Sequence, residues 1–460
     1  MDILLTHGYF VYEDPKEQEI MRPYPPLGIL SIQAYLKQAG LDSSVFDTTF
    51  SEMEKLQQHI LTHKPKILGI YTNLMTKVNV LKIIDFVKKQ KELSTKIILG
   101  GPEVRHHAHD FLNYGADILV LGEGEVTFTE VCEKILQGAK IDKEVKGIAF
   151  KSGAGMQESA ARPFIRDIDQ LPFPARSSID MRAYFEAWKS KHGFATVSIS
   201  TMRGCPYTCK WCSRAVYGQS YRRRSPELVV EEITHIIETY GVNQFWFVDD
   251  VFTVSHKWLE KFAECVEKSG VKFKYECITR ADRMNEKAIE WLKRSGCYKV
   301  WIGAESGSQK VIDLMDRRVE VEKVRSMIQS SQAAGIQAGT FIMIAYPGES
   351  HEDVLATAEH LAIAQPDEFT ITTTYPIKGT ELYQESEADN LITNNDLNWE
   401  AHSDRDLKLQ KRYSDRYYYY AIRFINNYVA TKKNPLGLMP RVKALVARGI
   451  MEMERRKAVH

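Results

Sequence analysis

The sequence predicts an α/β protein made of two strand-and-helix units and a helical carboxyl-terminal region. Short apolar runs alternate with amphipathic helical segments over the first 140 residues, and a second such series begins near residue 196. A chain of 460 residues is also too long for one ordinary core. We therefore expect a doubly wound, Rossmann-like parallel sheet, then a partial (β/α)6 barrel, then helices.

The first unit is predicted to span residues 1–140. Apolar runs predict strands at residues 3–6, 45–47, 67–71, 97–99 and 118–121, and helical patterns predict helices at 27–38, 52–63, 78–91 and 107–114. Parallel sheets of this kind bind ligands beyond the carboxyl ends of their strands. The loops at those ends are therefore candidates for ligand binding.

The second unit is predicted to span residues 191–385, after a linker region at 141–190 that contains the proline-rich run 171–175. Strands are predicted at residues 196–200, 244–248, 274–278, 299–302, 338–344 and 368–372, and helices at 257–268, 286–295, 321–334 and 351–364, with another opening at Ser225. Six strands are too few for an eight-fold barrel. A partial barrel fits, with its chemistry at the carboxyl ends of the strands.

Residues 386–460 are predicted to be a helical region that ends in a basic stretch. The formal net charge of +1 gives the chain no general attraction to nucleic acid or to an anionic membrane. No run of 18 apolar residues is present, and residues 1–7 do not resemble a signal peptide. We expect a cytoplasmic protein without a transmembrane segment or a nucleic-acid partner.

Three of the seven cysteines, Cys205, Cys209 and Cys212, stand in a C-x3-C-x2-C spacing. This spacing places three thiolates on one tight loop, directly after the first predicted barrel strand. Three thiolates can hold three irons of a cubane cluster and leave the fourth iron open, whereas a cluster for electron transfer normally has four thiolates. The spacing therefore predicts a catalytic [4Fe-4S] cluster with these cysteines as metal ligands.

Zinc is the alternative, because thiolates also suit zinc. Structural zinc sites usually have four ligands in paired spacings, and the sequence contains no second cysteine pair. A zinc-stapled module that only carries or senses a cofactor therefore remains a second hypothesis.

The cysteine loop, the barrel pattern and the preceding doubly wound unit together resemble the cobalamin (B12)-binding radical S-adenosylmethionine (SAM) enzymes. That family includes cobalamin-dependent methylases and the anaerobic magnesium-protoporphyrin monomethyl ester cyclase. The resemblance covers residues 1–385 and is strongest over 196–350. It implies a cobalamin-binding first unit, a radical SAM barrel and an anaerobic enzyme that uses a [4Fe-4S] cluster, SAM and cobalamin.

The resemblance implies that the reduced cluster cleaves SAM to a 5′-deoxyadenosyl radical, which then acts on an unactivated carbon of a small-molecule precursor. Methylation and oxidative cyclisation or rearrangement both fit this description. A flavodoxin- or ferredoxin-type protein would supply the electron. Two alternatives within the same barrel are a reaction without cobalamin and modification of RNA, although the neutral charge balance gives no sign of an RNA-binding domain.

The resemblance also assigns SAM contacts to side chains that follow the barrel strands. Trp211 matches the aromatic residue beside the adenine, and Asp249 or Asp250 would face the methionine amine. Arg280 could pair with the methionine carboxylate. The remaining assigned contacts lie in the G-x-E-x-G motif and after the fifth strand: Glu305, Ser306 and Ile344.

Cobalamin contacts are assigned to two loops of the first unit. Thr72 and Leu74 resemble the family's S-x-L element, and Gly100 and Gly101 would let the backbone approach a corrin or its nucleotide tail. The D-x-H-x-x-G motif that supplies a histidine below cobalt is absent. His7 stands where that motif would be, and we do not expect it to bind cobalt.

Overall fold

The first unit folds around a seven-stranded sheet with the order β2-β1-β3-β4-β5-β6-β7. The structure is a computed structural model that describes residues 1–153 and 155–457. The strands are β1 Ile3–His7, β2 Ser43–Phe46, β3 Ile67–Tyr71, β4 Lys96–Gly100, β5 Ile118–Val120, β6 Ile148–Ser152 and β7 Gly155–Glu158. β1 to β5 are parallel, whereas β6 and β7 run antiparallel to their neighbours.

The helices of this unit are α1 Pro15–Ile20, α2 Leu27–Gln38, α3 Met53–His63, α4 Lys77–Lys89, α5 Ala108–Tyr114 and α6 Gly124–Leu136. Successive residues of β1 point to opposite faces: Leu4 belongs to one buried core and Ile3 to another. A helix layer therefore covers each face, and the predicted doubly wound sheet is confirmed. The sheet continues to Glu158, past the predicted boundary at residue 140, because the β6–β7 hairpin pairs with β5.

The second unit contains a six-stranded, wholly parallel sheet in the order β15-β14-β13-β12-β11-β8. Its strands are β8 Val197–Ile199, β11 Gln244–Phe247, β12 Lys274–Thr279, β13 Cys297–Glu305, β14 Gln337–Ile344 and β15 Glu368–Thr373. Each strand pairs with the next in the chain, as in a barrel. Within the described residues β15 does not pair with β8, so this is the open, partial barrel that the sequence predicts.

The helices of the second unit are α7 Met181–His192, α8 Pro226–Tyr240, α9 His256–Ser269, α10 Glu286–Arg294, α11 Gln309–Leu314, α12 Val321–Ala333 and α13 His351–Ala364. α7 lies within the predicted linker region, yet its Trp188 is buried in the barrel core. Ser225 precedes α8 as predicted, but its side chain makes no capping hydrogen bond. Its backbone N–H donates to Asp169 instead.

The carboxyl-terminal region is helical and packs on the barrel. It contains α14 Glu381–Ala388, α15 Asp415–Lys433 and α16 Leu438–Lys457. Tyr417 of α15 is fully buried in the barrel core, and its hydroxyl lies 2.9 Å from Nδ1 of His351 on α13. Among the described residues, no helix is long and apolar enough to cross a membrane.

A buried carboxylate on α8 ties the linker to the barrel. Glu232 is 1% exposed and accepts hydrogen bonds from Arg176, at 2.6 Å, and from Arg224. Arg176 also donates to the carbonyl of Ser198 in β8, at 3.0 Å. Because a buried charge is tolerated only with partners, this cluster holds the linker and the end of β8 together.

Replacing Glu232 with Ala would leave the buried guanidinium of Arg176 and the partly buried one of Arg224 without their shared partner. We expect a loss of about 3–5 kcal/mol in the free energy of unfolding, the usual effect of breaking a buried ion pair. Urea denaturation monitored by circular dichroism measures it. Glu231→Ala, at the exposed neighbouring position, is the control. Equal unfolding midpoints for the two variants would show that the cluster does not stabilise the fold.

Candidate active site

The three predicted cluster cysteines lie on one long loop at the carboxyl end of the first barrel strand. The loop joins β9 Met202–Arg203 to β10 Arg222–Arg223, and the antiparallel pairing of these short strands closes its base. Gly204 opens the loop with a φ of +80°, and a Cβ there would lie 2.7 Å from the carbonyl oxygen of Ser220. Glycine is therefore required immediately before Cys205.

Contacts with later parts of the chain hold the tip of the loop. The N–H of Lys210 donates to the carbonyl of Met315 at 3.2 Å, and its carbonyl accepts from the N–H of Leu382 at 2.9 Å. The N–H of Cys212 donates to the carbonyl of Cys209 at 3.2 Å, so these two cysteines share one turn. The loop is thus positioned by residues more than 100 positions further along the chain.

Two buried arginines face Cys209. Nη1 of Arg280 lies 3.4 Å from its Sγ, and Nη1 of Arg317 lies 3.6 Å from it. Both guanidinium groups can donate to this sulfur, and their positive charge can offset that of an iron-bound thiolate. Sequence reasoning did not find Arg317, because it follows α11 and not the end of a strand.

The other two cysteines lie in a different electrostatic environment. Burial raises the pKa of the Cys205 thiol, and burial together with Asp250 raises that of Cys212 to about 12. Because the thiolate is the metal-binding form, each thiol must lose a proton when it binds iron. Both cysteines line a cavity of about 440 Å³.

This cavity lies between the two sheets. Its barrel side includes Cys205, Cys212 and Asp250, and its other side includes Gly100 and Gly101 at the carboxyl end of β4. These are ends of parallel strands in both units, where such sheets bind ligands. A molecule in the cavity would contact both units at once.

The two predicted aspartates differ in their surroundings. Asp249 is 2% exposed, and its Oδ1 accepts hydrogen bonds from the N–H groups of Thr201, at 2.7 Å, and Met202, at 3.1 Å. Burial raises the pKa of Asp249, while Arg223, 3.5 Å away, opposes this shift. Asp249 thus braces the turn before the cysteine loop, and exposed Asp250 faces the cavity.

Arg280 and Glu305 lie near Cys209 but are held differently. Besides its contact with Cys209, Arg280 donates to Asp282 at 2.9 Å and to the carbonyl of Arg317 at 2.7 Å. Glu305 ends β13 with a φ of +64°, and its Oε1 lies 3.5 Å from Nη2 of Arg317. Burial raises the pKa of Glu305, and the nearby arginines oppose that shift.

The remaining predicted SAM-contacting residues are Ser306, Ile344 and Trp211, and each of them also contacts other residues of the protein. The hydroxyl of Ser306 lies 3.2 Å from that of Thr357 on α13, and the side chain of Ile344 is buried in the barrel core. Trp211 packs against a small apolar cluster that includes Tyr346, with the guanidinium of Arg317 5.7 Å from its ring centre. Of these three, Trp211 is the one whose side chain belongs to the cysteine loop itself.

The predicted cobalamin residues divide between two pockets. Gly100 and Gly101 line the 440 Å³ cavity, whereas Leu74 lines a neighbouring pocket of about 260 Å³. The buried hydroxyl of Thr72 has no hydrogen-bond partner within residues 1–153 and 155–457. Both ring nitrogens of His7 are in use, with Nε2 2.9 Å from Asp47 and Nδ1 accepting from the N–H of Tyr9.

Ion pairs join the cysteine loop to the first sheet. Arg203 pairs with Glu123, at 2.8 Å, and with Glu125, and Arg222 pairs with Glu123 at 2.8 Å. The charges of the basic run at residues 222–224 are satisfied within the fold. Arg223 stacks on Trp258, and the flanking arginines are paired with glutamates.

The fold and the cavity define an α/β protein whose cysteine loop faces a ligand-binding sheet edge. Residues 19–132 match the B12 binding domain family, and residues 199–361 match the Radical SAM superfamily. The chain therefore belongs to the radical SAM enzymes that carry an amino-terminal B12-binding domain.

Several curated proteins are similar in sequence. An uncharacterized methyltransferase of Pyrococcus horikoshii is 27% identical over 83% of this chain and 82% of its own. The cytidylyl-2-hydroxyethylphosphonate methyltransferase of Streptomyces wedmorensis is 28% identical, over 70% and 66%. The anaerobic magnesium-protoporphyrin IX monomethyl ester cyclase of Cereibacter sphaeroides is 26% identical over 80% of this chain, which spans only 61% of that enzyme.

Solved structures share the fold. The cobalamin-dependent SAM radical enzyme OxsB with aqua-cobalamin bound superposes with a TM-score of 0.77 and 18% identity, covering 99% of this chain and 71% of its own. The radical SAM methyltransferase TsrM of Kitasatospora setae, with cobalamin and a [4Fe-4S] cluster bound, gives 0.70 and 15%, covering 85% and 76%. At these identities the likeness concerns the fold alone.

The brace beneath the cysteine loop can be tested by comparing adjacent aspartates. Asp249→Ala removes the acceptor of two buried N–H groups, which we expect to cost about 1–3 kcal/mol and to lower iron and sulfide content after anaerobic reconstitution. Asp250→Ala, at the exposed neighbour, should keep the content of the unmodified protein. Iron and sulfide analysis measures both, and full content in Asp249→Ala would refute the bracing role.

Proposed function

We propose that this chain is a cobalamin-dependent radical SAM enzyme that functionalises an unactivated carbon of a small-molecule precursor. The observation that carries the proposal is the 440 Å³ cavity, which is lined by Cys205 and Cys212 on one side and by Gly100 and Gly101 on the other. The site of radical formation and the sheet edge for the corrin would then face one shared space. Reaction type, substrate and partners are part of the proposal.

We assign Cys205, Cys209 and Cys212 as the ligands of a [4Fe-4S] cluster. The residues fit this group, because three sulfurs lie on one loop and two buried arginines face Cys209. When bound, the reduced cluster supplies the electron that cleaves SAM to a 5′-deoxyadenosyl radical. The chain's part is to hold the sulfurs, to balance their negative charge through Arg280 and Arg317, and to keep the loop rigid.

We assign SAM binding to side chains around the cysteine loop. Asp250 is exposed to the cavity and suits the methionine amine, while Glu305 suits ribose hydroxyls. Arg280 is engaged by Cys209 and Asp282, which favours a role in charge balance over its predicted pairing with the methionine carboxylate. Trp211, Ser306 and Ile344 remain proposed adenosine-side contacts from the family resemblance.

Cobalamin binding is assigned to the carboxyl edge of the first sheet. The site fits a flat, bulky ligand because a Cβ on Gly100 would face open space, its nearest neighbour being Val120 at 3.9 Å. Gly101 has a φ of +106°, so its turn requires glycine. Thr72 offers a buried hydroxyl without a partner in the described part of the chain. A cobalt ligand from His7 is disfavoured, because its ring is hydrogen-bonded on both sides.

Methylation is the reaction we favour, because the Pyrococcus and Streptomyces relatives are both named as methyltransferases. Oxidative cyclisation is the second candidate, because the similar Cereibacter enzyme is a cyclase. A flavodoxin- or ferredoxin-type protein is proposed as electron donor, and its docking surface is not the run 222–224, whose arginines are paired internally. The predicted cytoplasmic location and domain boundaries stay predictions.

Replacing all three loop cysteines with Ala should abolish reductive cleavage of SAM. Chromatography of anaerobic reactions should detect no 5′-deoxyadenosine from this variant, while circular dichroism and cobalamin retention match the unmodified protein. Cys265→Ala, outside the loop, is the control. SAM cleavage at the unmodified rate in the triple variant would refute the cluster assignment.

The same chromatography, with a substrate candidate present, distinguishes the two reactions. A methylation consumes two SAM molecules and yields S-adenosylhomocysteine together with 5′-deoxyadenosine and methionine. Turnover that yields 5′-deoxyadenosine without S-adenosylhomocysteine would refute methylation and support cyclisation.

Gly100→Val tests the corrin site. We expect the cofactor-free protein to tolerate this substitution, because the position is open in the structure. If the cofactor approaches this backbone closely, two added methyl groups collide with it, and we expect about tenfold weaker cobalamin binding. Absorbance of retained corrin after desalting measures the effect. Gly153→Val, where an added Cβ meets no neighbour within 4 Å, is the control. Unchanged retention in Gly100→Val would move the corrin away from this edge.

A further inference from the structure

A second cluster of ligand-type side chains lies outside the cysteine loop. Glu103 follows β4, His107 precedes α5, and Asp404 begins a short helical turn, Asp404–Asp406, between α14 and α15. Nε2 of His107 lies 3.7 Å from Oε1 of Glu103 and 3.5 Å from Oδ1 of Asp404. One ligand atom from each of the three residues falls within 4.8 Å of the others.

These side chains are buried, and several of their polar atoms have no hydrogen-bond partner among the described residues. Glu103, His107 and Asp404 are 5%, 7% and 7% exposed. Oε1 of Glu103 and both ring nitrogens of His107 have no hydrogen-bond partner in residues 1–153 and 155–457. Buried polar atoms without hydrogen-bond partners destabilise the folded protein. We therefore expect a bound ligand to contact these atoms. They also border the 260 Å³ pocket, from which a ligand can reach them.

We propose that Glu103, His107 and Asp404 bind a divalent transition metal ion, with zinc as the best-suited probe. One imidazole and two carboxylates are a usual donor set for such ions, and zinc sites with three protein ligands leave a fourth position open. The distances from His107 to the two carboxylates are close to the ligand separations around a tetrahedral ion, so small side-chain movements suffice. All three residues line the pocket, so an open position would be reached from it.

Neighbouring groups are arranged to orient these ligands. Nδ1 of His107 lies 3.5 Å from Oδ2 of Asp110, so a small side-chain movement on metal binding would let this carboxylate accept the Nδ1 proton and fix the tautomer. The backbone N–H of Lys378 donates to Oδ2 of Asp404 at 2.6 Å, which leaves Oδ1 directed at His107. Each ligand therefore presents one atom to the same point.

A cation also lies nearby. The ammonium of buried Lys77 donates to the carbonyls of Trp399 and His402, and it lies 4.5 Å from the centre of the Trp399 ring. The two carbonyls and the indole ring draw this charge toward the carboxyl-terminal segment. The two metal-binding carboxylates offset the charge of the ion itself.

The proposed ion would join two distant parts of the chain. Glu103 and His107 belong to the first unit, whereas Asp404 belongs to the segment that crosses over it after α14. Trp399 of that segment packs on Phe111 of α5 with ring centres 4.9 Å apart. The pocket also includes Ser213, the residue after Cys212. The ion thus fastens the carboxyl-terminal segment beside the cysteine loop without sharing its ligands.

The test is zinc binding by the full-length, cluster-reconstituted protein, whose loop cysteines are then occupied by iron. After removal of loosely bound metal with a chelator, elemental analysis should find about one zinc per chain. X-ray absorption at the zinc edge should show only oxygen and nitrogen neighbours at about 2.0–2.2 Å. Sulfur neighbours near 2.3 Å would place the zinc on cysteines and overturn the proposal.

Variants assign the ligands. His107→Ala and Glu103→Gln should lose the stoichiometric zinc, whereas Asp110→Asn should weaken binding about 10- to 100-fold. His109→Ala removes an exposed imidazole two residues away and should bind zinc as the unmodified protein does. If His107→Ala does not fold, Glu103→Gln decides the question, because it preserves the shape of the side chain.

Thermal unfolding provides an independent readout. Zinc should raise the melting temperature of the unmodified protein and of His109→Ala, and should leave that of Glu103→Gln unchanged. Equal zinc content and equal zinc-induced shifts in all variants would refute the site. The result does not depend on SAM cleavage or cobalamin retention, so the proposed function and this inference can fail separately.

Discussion

The arrangement of the candidate active site depends on one buried ion-pair cluster between the two units. Arg203 and Arg222, the paired residues at the base of the cysteine loop, bind Glu123 and Glu125 at the carboxyl edge of the first sheet. These charges are largely shielded from water, so separating them would leave uncompensated charges in a region of low dielectric. The loop is therefore held against the first sheet, and Glu123 and Glu125 also line the shared cavity.

That constraint explains why much of the local charge is structural. Arg223 stacks on Trp258 and supports Asp249, which in turn holds the turn before the loop. Arg280 and Arg317 meet at Cys209 from two later parts of the barrel. A rigid, charge-balanced loop suits radical chemistry, because a reactive intermediate is best generated at a fixed position that excludes other partners.

Element positions in the core were predictable, because burial leaves a periodic pattern in the sequence. The predicted helix at residues 351–364 and the strand at 67–71 occur with the predicted bounds. Elements were missed where the pattern was interrupted. α7 was assigned to a linker because its buried residues are mixed with lysines, and β7 was missed because it is short and largely exposed.

The candidate site likewise contains residues that the sequence pattern revealed and residues that it did not. The spacing of Cys205, Cys209 and Cys212 was sufficient to indicate a cluster loop, because neighbouring residues in the chain must be neighbours in space. Arg317 and Asp404 left no such signal, since each meets its partners only through the fold.

By itself, the sequence determined the local and periodic features: two sheets built mainly of parallel strands, their order along the chain, and a loop with three sulfurs. The tertiary structure decided which charged side chains are paired within the protein and which are available to a ligand. In the fold, Arg222 and Arg224 of the basic run pair with glutamates of the same chain. Asp249 accepts hydrogen bonds from the turn before the cysteine loop, and Asp250 faces the cavity. The physical reason is that a side chain's role depends on its partners and on its access to water, and both are fixed by residues far away in the chain.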